Sequence, residues 1–295
     1  MKSRRFDVFL QVGAPAVSLR TMKIARVAGV LGAEVTDVDL SSELAPGEVA
    51  ELRRLWLDHL VLFFRDQPLT PAQFFAFASR FGEPMAYPLL AGLDEFPMIT
   101  PVVKLEDETV NFGGVWHSDT TYLPEPPSAT ALIARVVPPV GGDTLFANQY
   151  LAYDALSPEM KRLLGSLKAI SSSAKADATK TREDRVRTSG RTDVPAEYLA
   201  VHPVVRTHPE TGRRALYVNP AHTIRFEGMS TDESESILAH LFRHQSRAEF
   251  TYRLSWRAGS IALWDNRCVI HNPVNDYHGY RRVMHRITLK GDIPQ

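Results

Sequence analysis

The chain has 295 residues, 34 basic and 34 acidic side chains, no net formal charge, and an apolar share of 44%. That balance argues against nucleic acid as the main partner, and no apolar run reaches the roughly 18 residues that a membrane-spanning helix needs. The apolar share supports a sizeable core and no Pro/Gly/Ser linker interrupts it, so residues 22–295 read as one domain behind a loosely ordered leader, 1–21.

Cys268 is the only cysteine, which rules out an intrachain disulfide and fits a reducing cytoplasm. Three of the first five residues are basic, but Asp7, Gln11 and Pro15 break the apolar stretch behind them, so the leader makes a poor signal peptide. Met22 to Leu40 carries short β-branched runs cut by glycines and reads as strands. Residues 46–59 read as a helix: Pro46 suits the first turn, Glu48 and Glu51 favour its positive end, and Leu52, Leu55 and Trp56 form an apolar stripe. Val61-Leu62-Phe63-Phe64 is a buried strand. Thr70-Pro71-Ala72-Gln73 is a capping signature for a helix presenting Phe74, Phe77, Ala78 and Phe81 to the core.

Gly82 to Asn111 is proline-punctuated and reads as irregular, with Tyr87 and Leu90 as candidates to line a site or simply to pack a loop. A strand spans 129–137, then a Gly141-Gly142-Asp143 turn leads into a strand from Thr144, then a short helix runs from Ser157-Pro158 to Leu164. Residues 171–193 are polar and mixed in charge, the composition of a mobile lid or a disordered insertion. Residues 201–207 and 214–219 read as a strand pair around a Pro209–Gly212 turn. Ser230-Thr231-Asp232-Glu233 caps a helix carrying Ile237, Leu238, Leu241 and Phe242. Further strands span 250–256, 261–264, 268–271 and 282–289. Strands outnumber helices and alternate with them, which favours a β-rich α+β sandwich or barrel with flanking helices.

The chemistry centres on Trp116-His117-Ser118-Asp119. Side chains two apart on an extended segment share a face, so one imidazole and one carboxylate can converge. A second histidine would complete the two-histidine, one-carboxylate face suited to Fe(II) with open positions. His271, closing an apolar strand, is either a buried histidine or that ligand. His240 and His244 share a helix face but sit beside Arg243 and Arg247, and read as solvated. Arg282 and Arg286 share one face of an otherwise apolar strand and need anionic partners, whether salt bridges or a ligand.

These residues fall in four ordered motifs: Trp116-His117-Ser118-Asp119, Gly141-Gly142-Asp143-Thr144, Trp264-Asp265-Asn266-Arg267 with His271, and Arg281 through Arg286. Together they resemble the taurine dioxygenase / 2,4-dichlorophenoxyacetate dioxygenase family over about Ile24 to Pro294. The resemblance implies a double-stranded β-helix, or jelly roll, with helices outside. It implies an Fe(II)- and 2-oxoglutarate-dependent dioxygenase that also consumes O2, with His117, Asp119 and His271 on the metal. Arg282, eleven residues past His271, would hold the far carboxylate of 2-oxoglutarate with Thr144 assisting, and Arg286 would hold the anionic group of a small substrate. The same family also includes desaturating and cyclising biosynthetic oxidases. A non-catalytic jelly-roll binding protein is the reading from another class.

Departures from the taurine enzymes bear on the substrate. Tyr87 stands where they have a histidine, Leu90 where they have a tyrosine, and Gly113 near their asparagine. Tyr217 replaces a pocket phenylalanine as an aromatic wall. The expected substrate is an organic acid other than taurine: an alkyl sulfonate, an alkyl sulfate or an aryloxyalkanoate. The expected assembly is a homo-oligomer, dimer or tetramer.

Overall fold

The computed structural model describes residues 22–176 and 197–295; the leader at 1–21 and the 177–193 part of the expected lid lie outside the described residues. The first part of the chain gives β1 (Lys23–Arg26), β2 (Ala33–Thr36), α1 (Pro46–His59), β3 (Val61–Phe64), α2 (Pro71–Ala78), β4 (Pro84–Met85), β5 (Thr100–Lys104) and β6 (Ala129–Val136). The middle gives β7 (Thr144–Asn148), α3 (Gln149–Asp154), α4 (Pro158–Leu164), β8 (Lys168–Ser172), α5 (Ser173–Ala176), β9 (Leu199–Pro203), β10 (Val205–Thr207), β11 (Arg214–Leu216) and β12 (Thr223–Phe226). The last part gives α6 (Thr231–Gln245), β13 (Thr251–Leu254), β14 (Ile261–Asp265), β15 (Val269–Pro273) and β16 (Arg282–Leu289).

Among the described residues, a main sheet of eight strands runs β1-β2-β3-β14-β6-β16-β4, with β5 also on β16. Its central strands are buried on both faces, and alternate residues enter two different cores. Leu62 and Phe64 of β3, Ala131 and Ile133 of β6, and Ile261 and Leu263 of β14 pack against Leu52, Leu55 and Trp56 of α1 and Phe74 and Phe77 of α2. Their neighbours Val61, Phe63, Leu132, Ala262 and Trp264 turn the other way, onto Phe146 of β7 and Val269 of β15. The strands β13-β7-β15 form the facing sheet. These two sheets make the β-rich jelly roll with helices outside, and β12-β8-β9 and β10-β11 form two further small sheets among the described residues.

The helix signals act as read. Glu48 accepts from the Ala45 N–H at 2.8 Å, and Thr70 and Gln73 cap each other reciprocally. Three stretches differ from expectation. Residues 82–111 are not wholly irregular, because β4 and β5 both pair with β16. Pro84 and Pro101 are tolerated there because each strand is paired on one side only. Residues 171–176 are no excursion: β8 pairs with β9 and with β12, which buries Ser171 and Ser172, and α5 comes next. Hydrogen bonding explains how serines fit there, since the Ala174 and Tyr198 N–H groups donate to Ser172 Oγ and Ser173 Oγ at 3.0 and 2.9 Å. The 201–207 strand breaks at Val204, so Leu199–Pro203 joins β8 while Val205–Thr207 pairs with β11. Helix α3 lies outside the elements expected from the sequence; its signal is Asn148, whose Oδ1 accepts from the N–H groups of Tyr150 and Leu151.

Candidate metal centre and active site

Backbone pairing, rather than local spacing, assembles the centre. His117 and His271 form a single antiparallel bridge, with N–H···O bonds of 2.9 and 2.7 Å in both directions. Directly opposed residues share a face, and the ring centroids lie 4.1 Å apart. The run His117 to Asp119 is not the extended strand the spacing suggests. Extension lasts for one bridge residue, and the chain then turns, with Thr120 at φ +43. A β-branched residue is strained there, and the bend brings Asp119 beside the bridged pair. One ligand atom from each of His117, Asp119 and His271 lies within 4.8 Å of the other two, and all three residues are buried.

Hydrogen bonds set the chemical state of these donors. His117 Nδ1 lies 2.7 Å from the Val115 carbonyl. A carbonyl only accepts, so Nδ1 carries the proton and Nε2, 3.7 Å from Asp119 Oδ1, keeps its lone pair. Burial pushes the His117 and His271 pKa values down, His271 to about 3, so both rings are neutral at pH 7. Burial pushes Asp119 up, but His271, Arg286 and His117 and the Thr130 hydroxyl outweigh it and hold the carboxyl at about 2. Two neutral imidazoles and one carboxylate are the donors that a divalent transition metal requires. Three protein donors leave positions for a chelating co-substrate and O2, and the residues present fit Fe(II).

The two arginines line up behind this centre. Arg282 and Arg286 sit on the inner face of β16 and are 5% and 6% exposed, which burial makes costly unless an anion arrives. Arg282 Nε and Nη2 have no hydrogen-bond partner, and neither do Arg286 Nε and Nη2. Arg286 Nη1 reaches Asp119 Oδ1 at 3.4 Å, and its guanidinium lies 4.1 Å from the Tyr87 ring centroid. Arg282 lies 5.9 Å from the Trp256 ring, whose Nε1–H donates to Thr144 Oγ1 at 2.9 Å. Trp256 thus adjoins both Thr144 and Arg282. Asp143, anchored by Arg253 at 2.6 Å, pins the start of β7.

A cavity of about 350 Å³ opens over the centre, lined by His117, Asp119, Thr120, Arg286, Tyr87 and the glycine turn at 113–114. Gly113 backs onto the His117 ring. It sits at φ +73, and a Cβ there would meet His117 Cε1 at 3.1 Å. Tyr87 lines the cavity as expected, whereas Leu90 lies behind it, packed with Leu89 and Tyr122. Tyr217 is not brought to the cavity wall. It is buried, with Arg206 4.9 Å from its ring centroid and His202 against its edge. His240 is exposed, and His244 bonds the Ala152 carbonyl at 2.7 Å, so neither joins the centre.

Comparison with known proteins decides the family. The family model described as "Taurine catabolism dioxygenase TauD, TfdA family" matches residues 23–288. The chain belongs to this family. A relative in it, the alpha-ketoglutarate-dependent sulfate ester dioxygenase of Pseudomonas putida, is 35% identical over 276 residues, 91% of this chain and 89% of that protein. The alpha-ketoglutarate-dependent 2,4-dichlorophenoxyacetate dioxygenase of Cupriavidus pinatubonensis is 33% identical over 89% of this chain and 96% of its own length. A crystal structure of a taurine dioxygenase from Burkholderia xenovorans superposes with a TM-score of 0.78 at 36% identity, covering 92% of each chain.

Within this TauD/TfdA chain, a chain of three side chains supports Asp119, and of these Thr130 carries no signal in the sequence. Thr130 Oγ1 donates to Asp119 Oδ2 at 2.6 Å, and Asn266 Nδ2 donates to Thr130 at 2.8 Å. Asn266 Oδ1 in turn accepts from Trp264 Nε1 at 2.9 Å. The Trp264–Arg267 motif is visible, but its work on Asp119 depends on strand pairing. The Lys175 and His222 side chains also line the cavity, and neither stands out in the sequence.

Proposed function

We propose that this 2-oxoglutarate-dependent dioxygenase holds ferrous iron on His117, Asp119 and His271 and hydroxylates a small organic anion. Bound iron would supply the O2 chemistry, by which 2-oxoglutarate loses CO2 to become succinate and a substrate C–H bond becomes C–OH. The chain's own residues bind, orient and exclude water. Arg282 and Thr144 fix the far carboxylate of 2-oxoglutarate, a fork against a carboxylate that sets the chelating end at the metal. Arg286 holds the anionic group of the substrate, a role that its contact with Asp119 at 3.4 Å supports.

The observation that carries this reading is the pair of buried guanidiniums on one strand face beside the His–Asp–His group, each with Nε and Nη2 unpartnered. Tyr87, Phe112, Tyr122, Pro220 and Ala221 give the cavity an apolar body. That supports a substrate with an alkyl or aryl portion behind its anionic group. With relatives acting on sulfate esters and 2,4-dichlorophenoxyacetate, the substrate class is an alkyl sulfate, alkyl sulfonate or aryloxyalkanoate rather than taurine. Among the described residues no helix is long and apolar enough to cross a membrane. A cytoplasmic homo-oligomer completes the proposal.

Succinate formation against a panel of these acids identifies the substrate. With it in hand, Arg282→Ala weakens 2-oxoglutarate binding by roughly ten- to hundredfold with little change for substrate, and Arg286→Ala does the reverse. Equal effects of both variants on both ligands contradict the assignment.

A further inference from the structure

Lys104 is a buried cation to which the catalytic reading gives no work. It is 3% exposed, and its Nζ has no hydrogen-bond partner. No carboxylate lies within ion-pair reach of it among the described residues, and the same holds for Arg282. An ammonium taken out of water without a counter-charge carries a large desolvation penalty. A chain that retains one in its interior has an anion to meet.

The register says where. Lys104 on β5 is directly opposite Arg282 on β16, and opposed residues project from the same face. The rest of the ladder agrees: Val102 lies opposite Met284 and Thr100 opposite Arg286, along the interior face of β16. Both cations also touch one tyrosine. Lys104 Nζ stands 4.3 Å from the centroid of the Tyr277 ring, and Tyr277 also adjoins Arg282. The Tyr277 hydroxyl donates to Asn111 Oδ1 at 2.7 Å, so it supplies no counter-charge to either cation. Asp143, the acid whose charge bears on Arg282, is already engaged by Arg253 at 2.6 Å.

We propose that Lys104 is a second cation of the 2-oxoglutarate site, sharing the far carboxylate with Arg282. The inference rests on the co-substrate role proposed for Arg282. Its chemical logic is one of capacity: a carboxylate offers about four lone-pair sites, and a guanidinium fork with one hydroxyl leaves at least one for an ammonium. A site with two cations selects for a keto-acid carrying a second carboxylate, because a mono-acid leaves both charges buried and unpaired.

Calorimetric titration of the Mn(II)-loaded protein with N-oxalylglycine, an inert dicarboxylate analogue of 2-oxoglutarate, tests this without turnover. Lys104→Met and Lys104→Gln each weaken N-oxalylglycine binding by roughly ten- to hundredfold, while pyruvate, which lacks the far carboxylate, binds as it does to the parent. The melting temperature of the ligand-free Lys104→Met protein stays level or rises, because the variant removes an uncompensated charge. N-oxalylglycine affinity within twofold of the parent for both variants, alongside lost affinity in Arg282→Met, overturns the Lys104 proposal alone. Parental affinity in Arg282→Met overturns the co-substrate site itself.

Discussion

Asp119, proposed above as a metal ligand, is held in place by residues outside the His–Asp–His group. Its Oδ2 is fixed by Thr130, and Thr130 by Asn266. Its Oδ1 faces Arg286 and His117. Supports of this kind orient a ligand and typically change metal affinity by about 10- to 100-fold. Thr130→Val keeps the volume and removes the donor. Metal titration should show weaker Mn(II) binding in that range, with little change in the urea midpoint; unchanged affinity would show the bond to be incidental. His117 and Asp119 are visible in the sequence as a pair of residue types at a meaningful spacing. Thr130 is not, because a threonine in a strand announces nothing about what it faces.

At the scale of the element, β16 does two jobs with its two faces. Arg282, Met284 and Arg286 point inward, and the register on β6 shifts between Val283 and Met284, where the ladder is irregular. His285 lies on the opposite face, where its Nδ1 accepts from Arg135 Nε at 3.2 Å. Burial, and then the Arg135 charge, push its pKa down to about 4. A histidine depressed in the folded state favours folding above its unfolded pKa near 6.5. That contribution is lost as pH falls from there toward 4. Denaturant midpoints taken at pH 7.5 and pH 5 should therefore drop for the parent protein. They should drop less for His285→Gln, by about 1 kcal/mol once solvent screening of this half-buried group is allowed for. An equal drop in both proteins would remove His285 from the account. The shared face of Arg282 and Arg286 is readable from period two alone. The pairing partner of β16 is not: β5 lies hidden in a proline-rich run, because a single-sided edge strand tolerates prolines that a central strand excludes.

Across the whole molecule, a buried ionic cluster ties the main sheet to the outer hairpin and to α1. Asp265 at the end of β14 accepts from Arg267 Nε and Nη2 at 2.8 and 2.7 Å and from His208 Nε2–H at 3.0 Å. Arg267 continues to Glu210 at 2.8 Å, and Glu210 to Arg53 of α1 at 2.8 Å. Burial opposes the Asp265 charge, but Arg267 and His208 hold its carboxyl well below the usual carboxylate range. A depressed carboxylate favours folding above its unfolded pKa and loses that contribution as pH falls below about 4. Asp265→Ala leaves Arg267 buried with one partner fewer and should cost about 3–5 kcal/mol in a urea titration at pH 7. Most of the parent's added sensitivity to acid should vanish with it; a cost under about 1 kcal/mol would mark the cluster as replaceable.

The sequence by itself determined the parts that depend on near neighbours. Caps at Glu48, Thr70 and Ser230 set helix starts, apolar period marked the strands, and four ordered motifs marked the chemistry. The tertiary structure decided which distant residues meet: the bridge that sets His271 against His117, the Thr130–Asn266 support of Asp119, the placing of Lys104 opposite Arg282, and the retreat of Tyr217 into the core. Helix caps and strand period are local energies and appear in local sequence. Strand register is a long-range pairing, chosen by the sum of both cores at once, and no short stretch of chain contains it.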